Sequence, residues 1–95
     1  MDLSVLVPLY NEEESLPELC AWIERVMLDN NYSYEIILVD DGSNDNSWNV
    51  VKQLKTSNER IRGIRFRRNY GKSAALNKGF EVALGNVVIT MDADL

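Results

Sequence analysis

Histidine is absent from the 95 residues, and cysteine occurs once, as Cys20. No imidazole base, no Ser-His-Asp triad, no Cys/His zinc cluster and no internal disulfide can therefore be built. Long apolar runs are also missing. None approaches the ~20 residues that cross a bilayer, and no basic stretch leads into an apolar one at the N-terminus, so neither a membrane span nor a secretory signal is expected. Aromatics make up 8% of the chain and are not interleaved with its basic residues, and the net charge is −5. Nucleic acid is excluded as a partner on that balance. What remains plentiful is carboxylate: 15 Asp and Glu must supply any acid, base or metal chemistry. At 45% hydrophobic and 26% charged, the chain has the composition of one small folded domain, with a thin core at this length.

The charge is unevenly spread. Residues 1–48 carry 11 acidic groups against Arg25 alone, a balance of −10, whereas residues 49–95 carry 9 basic against 4 acidic, a balance of +5. Solvated helix faces of opposite sign would give such a split. A cleft with carboxylates on one wall and Arg or Lys on the other would give it too, and would suit a metal bound to an anionic ligand.

Four runs read as strands: Leu3 to Leu9, Glu35 to Asp40, Ile61 to Phe66 and Val87 to Met91. The second and fourth are near-continuous in Ile, Val and Leu, as central strands buried on both faces are. Helical patterns lie between them. The first places Leu16, Leu19, Cys20, Ile23, Val26 and Met27 on one face and opens on Ser15-Leu16-Pro17-Glu18, the spacing of a capping box. The second carries Trp48, Val51 and Leu54 behind a polar stretch able to cap it. The third carries Leu76, Phe80, Ala83 and Leu84 and is expected to stop at Gly85-Asn86. Trp22, Trp48 and the methionines read as core or helix-face residues. Regular alternation of strand and helix predicts an α/β fold with an open, mainly parallel sheet and right-handed crossovers.

Such sheets bind ligands beyond the carboxyl ends of their strands, which makes the following loops the place to look. Asp92-Ala93-Asp94 follows an apolar strand, and in an extended segment its two carboxylates point the same way and reach one divalent ion. Two carboxylates leave room in a hard cation's shell for water and phosphate oxygens, the outline of a nucleoside-diphosphate site. Asp40-Asp41-Gly42-Ser43 ends the second strand; one aspartate suits an Asx-type turn with Gly42 at positive φ, and the other is free to accept hydrogen bonds from a base or ribose. Tyr10 can pack on a base, while Glu12 can reach the ribose or the metal shell. Glu13 and Glu14 suit a helix entry. Gly71-Lys72-Ser73 is not a P-loop, since that motif needs glycine where Phe66 stands. Arg67, Arg68 and Lys72 nonetheless precede or open a helix, where basic side chains and free N–H groups can face a phosphate.

In this order the pieces resemble family 2 glycosyltransferases of the nucleotide-diphospho-sugar (GT-A) fold. The carrying residues are Val7-Pro8-Leu9-Tyr10-Asn11-Glu12-Glu13, Val39-Asp40-Asp41-Gly42-Ser43, Arg68-Asn69-Tyr70-Gly71-Lys72 with Ala74-Ala75-Leu76-Asn77-Lys78-Gly79-Phe80, and Gly85-Asn86-Val87 leading to Asp92-Ala93-Asp94-Leu95. Within the family, R-N-x-G-K and D-A-D-L look most like the polyprenyl-phosphate branch, that of dolichyl-phosphate mannosyltransferase and its undecaprenyl-phosphate relatives. The resemblance implies that Pro8, Tyr10, Glu12, Val39 and Asp41 line a nucleoside pocket, with Lys72, Asp92 and Ala93 counted to the same nucleotide site. It implies Asp94, with Asp92, as ligand to Mg²⁺ or Mn²⁺. The implied donor is a UDP- or GDP-sugar, and the implied acceptor of the full-length protein is a lipid phosphate or glycan.

Family members are several times longer. The resemblance therefore implies that residues 1–95 are the nucleotide-sugar-binding N-terminal half of the domain, with no catalytic residue among them and the general base beyond residue 95. A cytoplasmic location is implied, at the cytoplasmic face of a membrane for the full-length protein. A half-sheet ending on an apolar strand leaves an edge uncovered, so self-association is expected. The competing reading is a receiver-like or other non-catalytic α/β binding module, which also gathers aspartates and a lysine at one edge but would want an aspartate, not arginines, after its third strand.

Overall fold

The computed structural model describes residues 1–94; Leu95, the last residue of the fourth motif, lies outside them. Strands β1 (Leu3–Leu9), β2 (Tyr34–Asp40), β3 (Ile61–Arg65) and β4 (Val87–Thr90) alternate with helices α1 (Leu16–Asp29), α2 (Ser47–Ser57) and α3 (Lys72–Val82). All four strands are parallel, in the order β3-β2-β1-β4.

Given this order, the handedness of the crossovers fixes the face on which each helix lies. The steps from β1 to β2 and from β2 to β3 run the same way, so right-handed connections lay α1 and α2 on one face. The third connection returns past β2 and β1 to reach β4, and the same hand puts α3 on the opposite face. Core packing reflects this division. Val5, Val7, Leu9, Ile36 and Leu38 meet Leu16, Leu19, Ile23 and Val51 on one side, whereas Leu6, Ile37 and Val39 meet Ala75 on the other. Burial on both faces explains why β2 reads as a near-continuous apolar run, and β1 is enclosed in the same way.

β4 corrects the expectation of a second central strand. Val87 and Ile89 are 54% and 40% exposed, because β4 stands at the sheet's edge and neither α1 nor α2 extends over it. β1 is the central partner instead. The third helix also differs: it ends at Val82, short of Gly85-Asn86, and Phe80 and Leu84 are exposed rather than buried. α3 seats itself through small residues, Ala75 and Gly79, one turn apart. A Cβ at Gly79 would lie 2.0 Å from Leu6 Cδ1, so the glycine lets α3 close onto the Leu6 side chain, which would have to shift to admit a larger residue. Trp22 is likewise exposed at 45%, while Trp48 packs partly against the core and stacks under the Arg65 guanidinium.

The expected capping box does not close at α1, where Ser15 makes no side-chain bond to the helix and instead donates to the Glu12 carboxylate at 2.7 Å. Asp45 caps α2 in place of Asn46, accepting the Ser47 N–H at 2.9 Å. Burial works against charge on Asp45, but its hydrogen bonds with Ser47 outweigh this and lower its pKa. Cys20 is part of the core; burial, aided by Glu24, pushes its thiol up to about 11, so it stays protonated and unreactive at neutral pH.

At the amino end of the sheet lies a buried polar network. Glu35, 2% exposed, accepts hydrogen bonds from the Ser4 hydroxyl at 2.6 Å, the Leu84 N–H at 2.7 Å and the Arg62 guanidinium at 2.7 Å. Ser4 Oγ in turn accepts the Gly85 N–H at 2.8 Å. Burial alone would raise the pKa of Glu35, but the bonds from Ser4, Leu84 and Arg62 prevail and hold it below the ordinary range. The network clamps the turn that delivers the chain into β4, and so sets the pairing of Ser4 with Val88 and Leu6 with Thr90.

Candidate functional site

The strand order places its switch point between β1 and β4, since the chain leaves β1 in one direction and later adds β4 on the other side. A crevice outside the carboxyl ends of these two strands is the expected ligand position. Each bordering loop is held by the next. Asn11 adopts φ +54°, a left-handed conformation that Asn tolerates better than most residues. Its N–H donates to Ser43 Oγ at 2.8 Å, and its Oδ1 accepts the N–H groups of Asn44 at 2.8 Å and Asp45 at 3.2 Å. Glu12 N–H donates to Ser47 Oγ at 2.9 Å, and the Tyr10 hydroxyl accepts from Asn44 Nδ2 at 3.0 Å. The loop after β1 is thus laced to the loop after β2.

Both aspartates after β2 are employed. Asp40 makes the expected turn, its Oδ1 accepting the Ser43 N–H at 2.9 Å with Gly42 at φ +75°, while its buried Oδ2 has no partner among the described residues. Asp41, only 4% exposed, accepts the N–H groups of Tyr70 at 2.8 Å and Gly71 at 3.0 Å. Asp41 therefore anchors the loop that opens α3, and it takes up two of the N–H donors expected to face a phosphate there. Gly42 sits against the backbone of Arg68 and Asn69, so the second and third loops touch main chain to main chain. Lys72, the first residue of α3, completes the circuit with Nζ 2.7 Å from Asp92 Oδ1. That bond, and the nearby charges of Asp92 and Asp94, raise the lysine's pKa.

The loops enclose a cavity of about 280 Å³ that brings together Pro8, Tyr10, Glu12, Asp41, Lys72, Asp92, Ala93 and Asp94, with Leu9 added. Val39 is not brought to it: its side chain is fully enclosed under α3, because odd residues of β2 face that helix. Nor is the opposing basic wall built. Arg68 lies over the Tyr70 ring at 4.7 Å, and neither it nor Arg67 lines the cavity, leaving Lys72 as its one cation among the described residues. Asn11 and Ser43 stand in the matching motifs, but their task of joining two loops was missed. The readable signal was an Asn after a strand, a residue type at ease with positive φ.

Among the described residues no three potential metal ligands converge. A Mg²⁺-type cation that sits on one or two carboxylates and completes its shell with water and substrate phosphates does not require three. Asp92 and Asp94 meet that demand. They are exposed, flank the buried Ala93 and open onto the same cavity, and Asp94 also borders a neighbouring acidic hollow lined by Glu12, Glu13, Glu14, Glu18 and Asp45. The donor set therefore fits a hard divalent cation.

An open parallel sheet with helices on both faces and a carboxylate-bordered cavity at its switch point defines an α/β domain of the doubly wound class. The receiver alternative fails on the strand order and on the arginines after β3. The chain belongs to glycosyl transferase family 2, whose pattern it matches over residues 4–95. It is 46% identical to an undecaprenyl-phosphate 4-deoxy-4-formamido-L-arabinose transferase of Pseudomonas fluorescens over 98% of this chain and 28% of that protein. The corresponding transferase of Aeromonas hydrophila is 43% identical, over 98% and 29%. The chain thus spans less than a third of the length of these curated relatives. Among solved structures, a mannosyltransferase from Pyrobaculum calidifontis in complex with GDP-Man and Mn²⁺ superimposes with a TM-score of 0.83 at 27% identity, over 97% of this chain and 27% of that one. Staphylococcus aureus TarS residues 1–349 in complex with UDP-GlcNAc gives 0.81 at 26%, over 99% and 27%. The fold is GT-A-like, as the motifs implied. No helix among the described residues is long and apolar enough to cross a membrane.

Proposed function

We propose that these residues form the donor-binding part of a metal-assisted glycosyltransferase that moves a sugar from a UDP- or GDP-sugar to a polyprenyl phosphate, with the acceptor site and general base supplied by further chain. The observation that carries this reading is the cavity at the switch point, where Tyr10, Glu12, Asp41, Lys72, Asp92 and Asp94 converge. Tyr10 offers an aromatic face to a base, Asp41 a carboxylate already fixed by two N–H groups, and Glu12 a second acceptor for ribose. Asp94 and Asp92 would hold Mg²⁺ or Mn²⁺, whose charge, when present, stabilises the diphosphate as it leaves. The relatives' substrates support the acceptor class: the curated proteins are undecaprenyl-phosphate transferases, and two structural neighbours hold nucleotide sugars.

Thermal unfolding with Mn²⁺, and with Mn²⁺ plus UDP, GDP or ATP in turn, tests the reading. A ligand at about 100 times its Kd adds ~2.7 kcal/mol, several degrees for a domain of this size. UDP or GDP should raise Tm only with the metal, and ATP should not. Asp94→Asn should abolish the shift while leaving the Tm of the free protein within a degree or two, since Asp94 is exposed. An undiminished shift in that variant would remove Asp94 from the metal site.

The exposed edge of β4 supports self-association as well. Val87 and Ile89 present an uncharged, unpaired strand of the kind that templates another. Ile89→Lys should return the protein to monomer in sedimentation velocity at concentrations where the parent sediments faster. Identical profiles would sink the idea.

A further inference from the structure

Lys72 is chemically out of place in a site meant for a divalent cation. Its ammonium sits 2.7 Å from Asp92, one of the two carboxylates that would bind that cation, and it is the one cation among the described residues bordering a cavity that also holds Glu12, Asp41 and Asp94. We propose, on the donor-site reading above, that Lys72 is a built-in counter-ion for Asp92 which a divalent cation displaces, freeing the ammonium to bind the donor's diphosphate.

Three observations carry the exchange. The pair is weak enough to break, because the Lys72 and Asp92 side chains are 62% and 66% exposed. Exposed pairs are screened by water and hold little net energy. The backbone beneath the lysine is, by contrast, held in place. Asp41 grips the N–H groups of Tyr70 and Gly71, immediately before Lys72, so the side chain can swing on its four-carbon stem without moving α3. Space is also available. Lys72 borders both the main cavity and a second hollow of about 240 Å³ with Pro8, Leu76, Thr90, Met91 and Asp92. Without a cation, Asp92 and Asp94 stand two residues apart beside two further carboxylates, and the ammonium relieves their repulsion. A divalent ion on the same carboxylates does this better and repels the lysine, while a diphosphate bound to that ion attracts it. The exchange makes metal and nucleotide binding cooperative: metal alone must compete with Lys72, whereas metal with a diphosphate gives the lysine a new partner.

The test is Mn²⁺ binding, read from the electron paramagnetic resonance signal of the free aqua ion, for the parent, Lys72→Met, Lys72→Arg and a control, Lys78→Met. Lys78 removes the same charge from the same helix, but its partner is Glu81 at 3.7 Å. Mn²⁺ alone should bind Lys72→Met about fivefold more tightly than the parent, the size of an exposed ion pair. UDP or GDP in saturating Mn²⁺ should bind the same variant roughly tenfold more weakly, the loss of a charge-assisted contact. Lys72→Arg should stay near the parent in both, and Lys78→Met should change neither. Equal or weaker Mn²⁺ binding by Lys72→Met, or an equal gain in Lys78→Met, overturns the exchange while leaving the metal site standing. Failure of Mn²⁺ to bind any of the four proteins, with or without UDP or GDP, overturns the metal reading itself and the exchange with it.

Discussion

Gly42→Ala should unfold or severely loosen the carboxyl edge of the sheet, costing about 3 kcal/mol and abolishing the proposed nucleotide binding in whatever remains folded. Two separate penalties meet at this residue. Its φ of +75° is one that a side chain strains, and a Cβ there would lie 2.2 Å from the Arg68 carbonyl carbon and 2.5 Å from the Asn69 nitrogen. Neither obstacle is the flexible end of a side chain, so the backbone after β3 must retreat. That retreat pulls Tyr70 and Gly71 from Asp41 and carries Lys72 away from Asp92. Urea titration followed by tryptophan fluorescence measures the first effect, and the metal-dependent Tm shift with UDP or GDP the second. A variant within 1 kcal/mol of the parent that binds nucleotide normally would show that the two loops are not packed as described.

Glu35→Ala should be comparably damaging, at about 2–3 kcal/mol, far from the cavity. It would leave the Ser4 hydroxyl and the Leu84 N–H without their buried acceptor and the Arg62 guanidinium without its carboxylate. The pH dependence gives a milder test. Because the folded pKa of Glu35 lies below its ordinary value of 4.5, the native state favours the ionised form. Its contribution is therefore complete above the unfolded pKa and is lost as pH falls through the folded one. Glu35→Gln should remove that share of acid sensitivity, so its stability, read by chemical unfolding from pH 6 down to pH 3, should fall less steeply than the parent's. Parallel curves would mean that Glu35 is not ionised in its network.

The site was legible to the degree that it was local. Asp92, Ala93 and Asp94 follow an apolar run, and Asp40, Asp41 and Gly42 end another; a strand-end rule is enough to send both groups to one edge. Motif order then pointed to the family, and the match over residues 4–95 agrees. What could not be read was which acid faces what. Asp40 and Asp41 are neighbours with the same chemistry, yet one closes its own turn while the other reaches Tyr70 and Gly71, 29 and 30 positions along the chain. Val39 belongs to the same motif as Asp41 but lies inside β2, where odd residues pack under α3, whereas Asp41 stands just past the strand's end and turns to the loop before that helix. Arg68 lies over the Tyr70 ring and does not line the cavity.

The sequence by itself determined the elements and their alternation, because apolar periodicity and turn residues act within a few positions of one another. It also determined the edge at which the chemistry gathers, since a parallel sheet linked by helices puts every strand's carboxyl end on the same side. Only the tertiary structure decided that β4 pairs with β1 and stands at the edge, that α3 docks through Gly79, and that Lys72 meets Asp92. These depend on which strand the third crossover reaches. β4 has the same apolar run whether it lies at the centre or the edge, and its place is settled by the clamp of Glu35, Ser4 and Gly85 on the turn before it and by the β1 face left open to receive it.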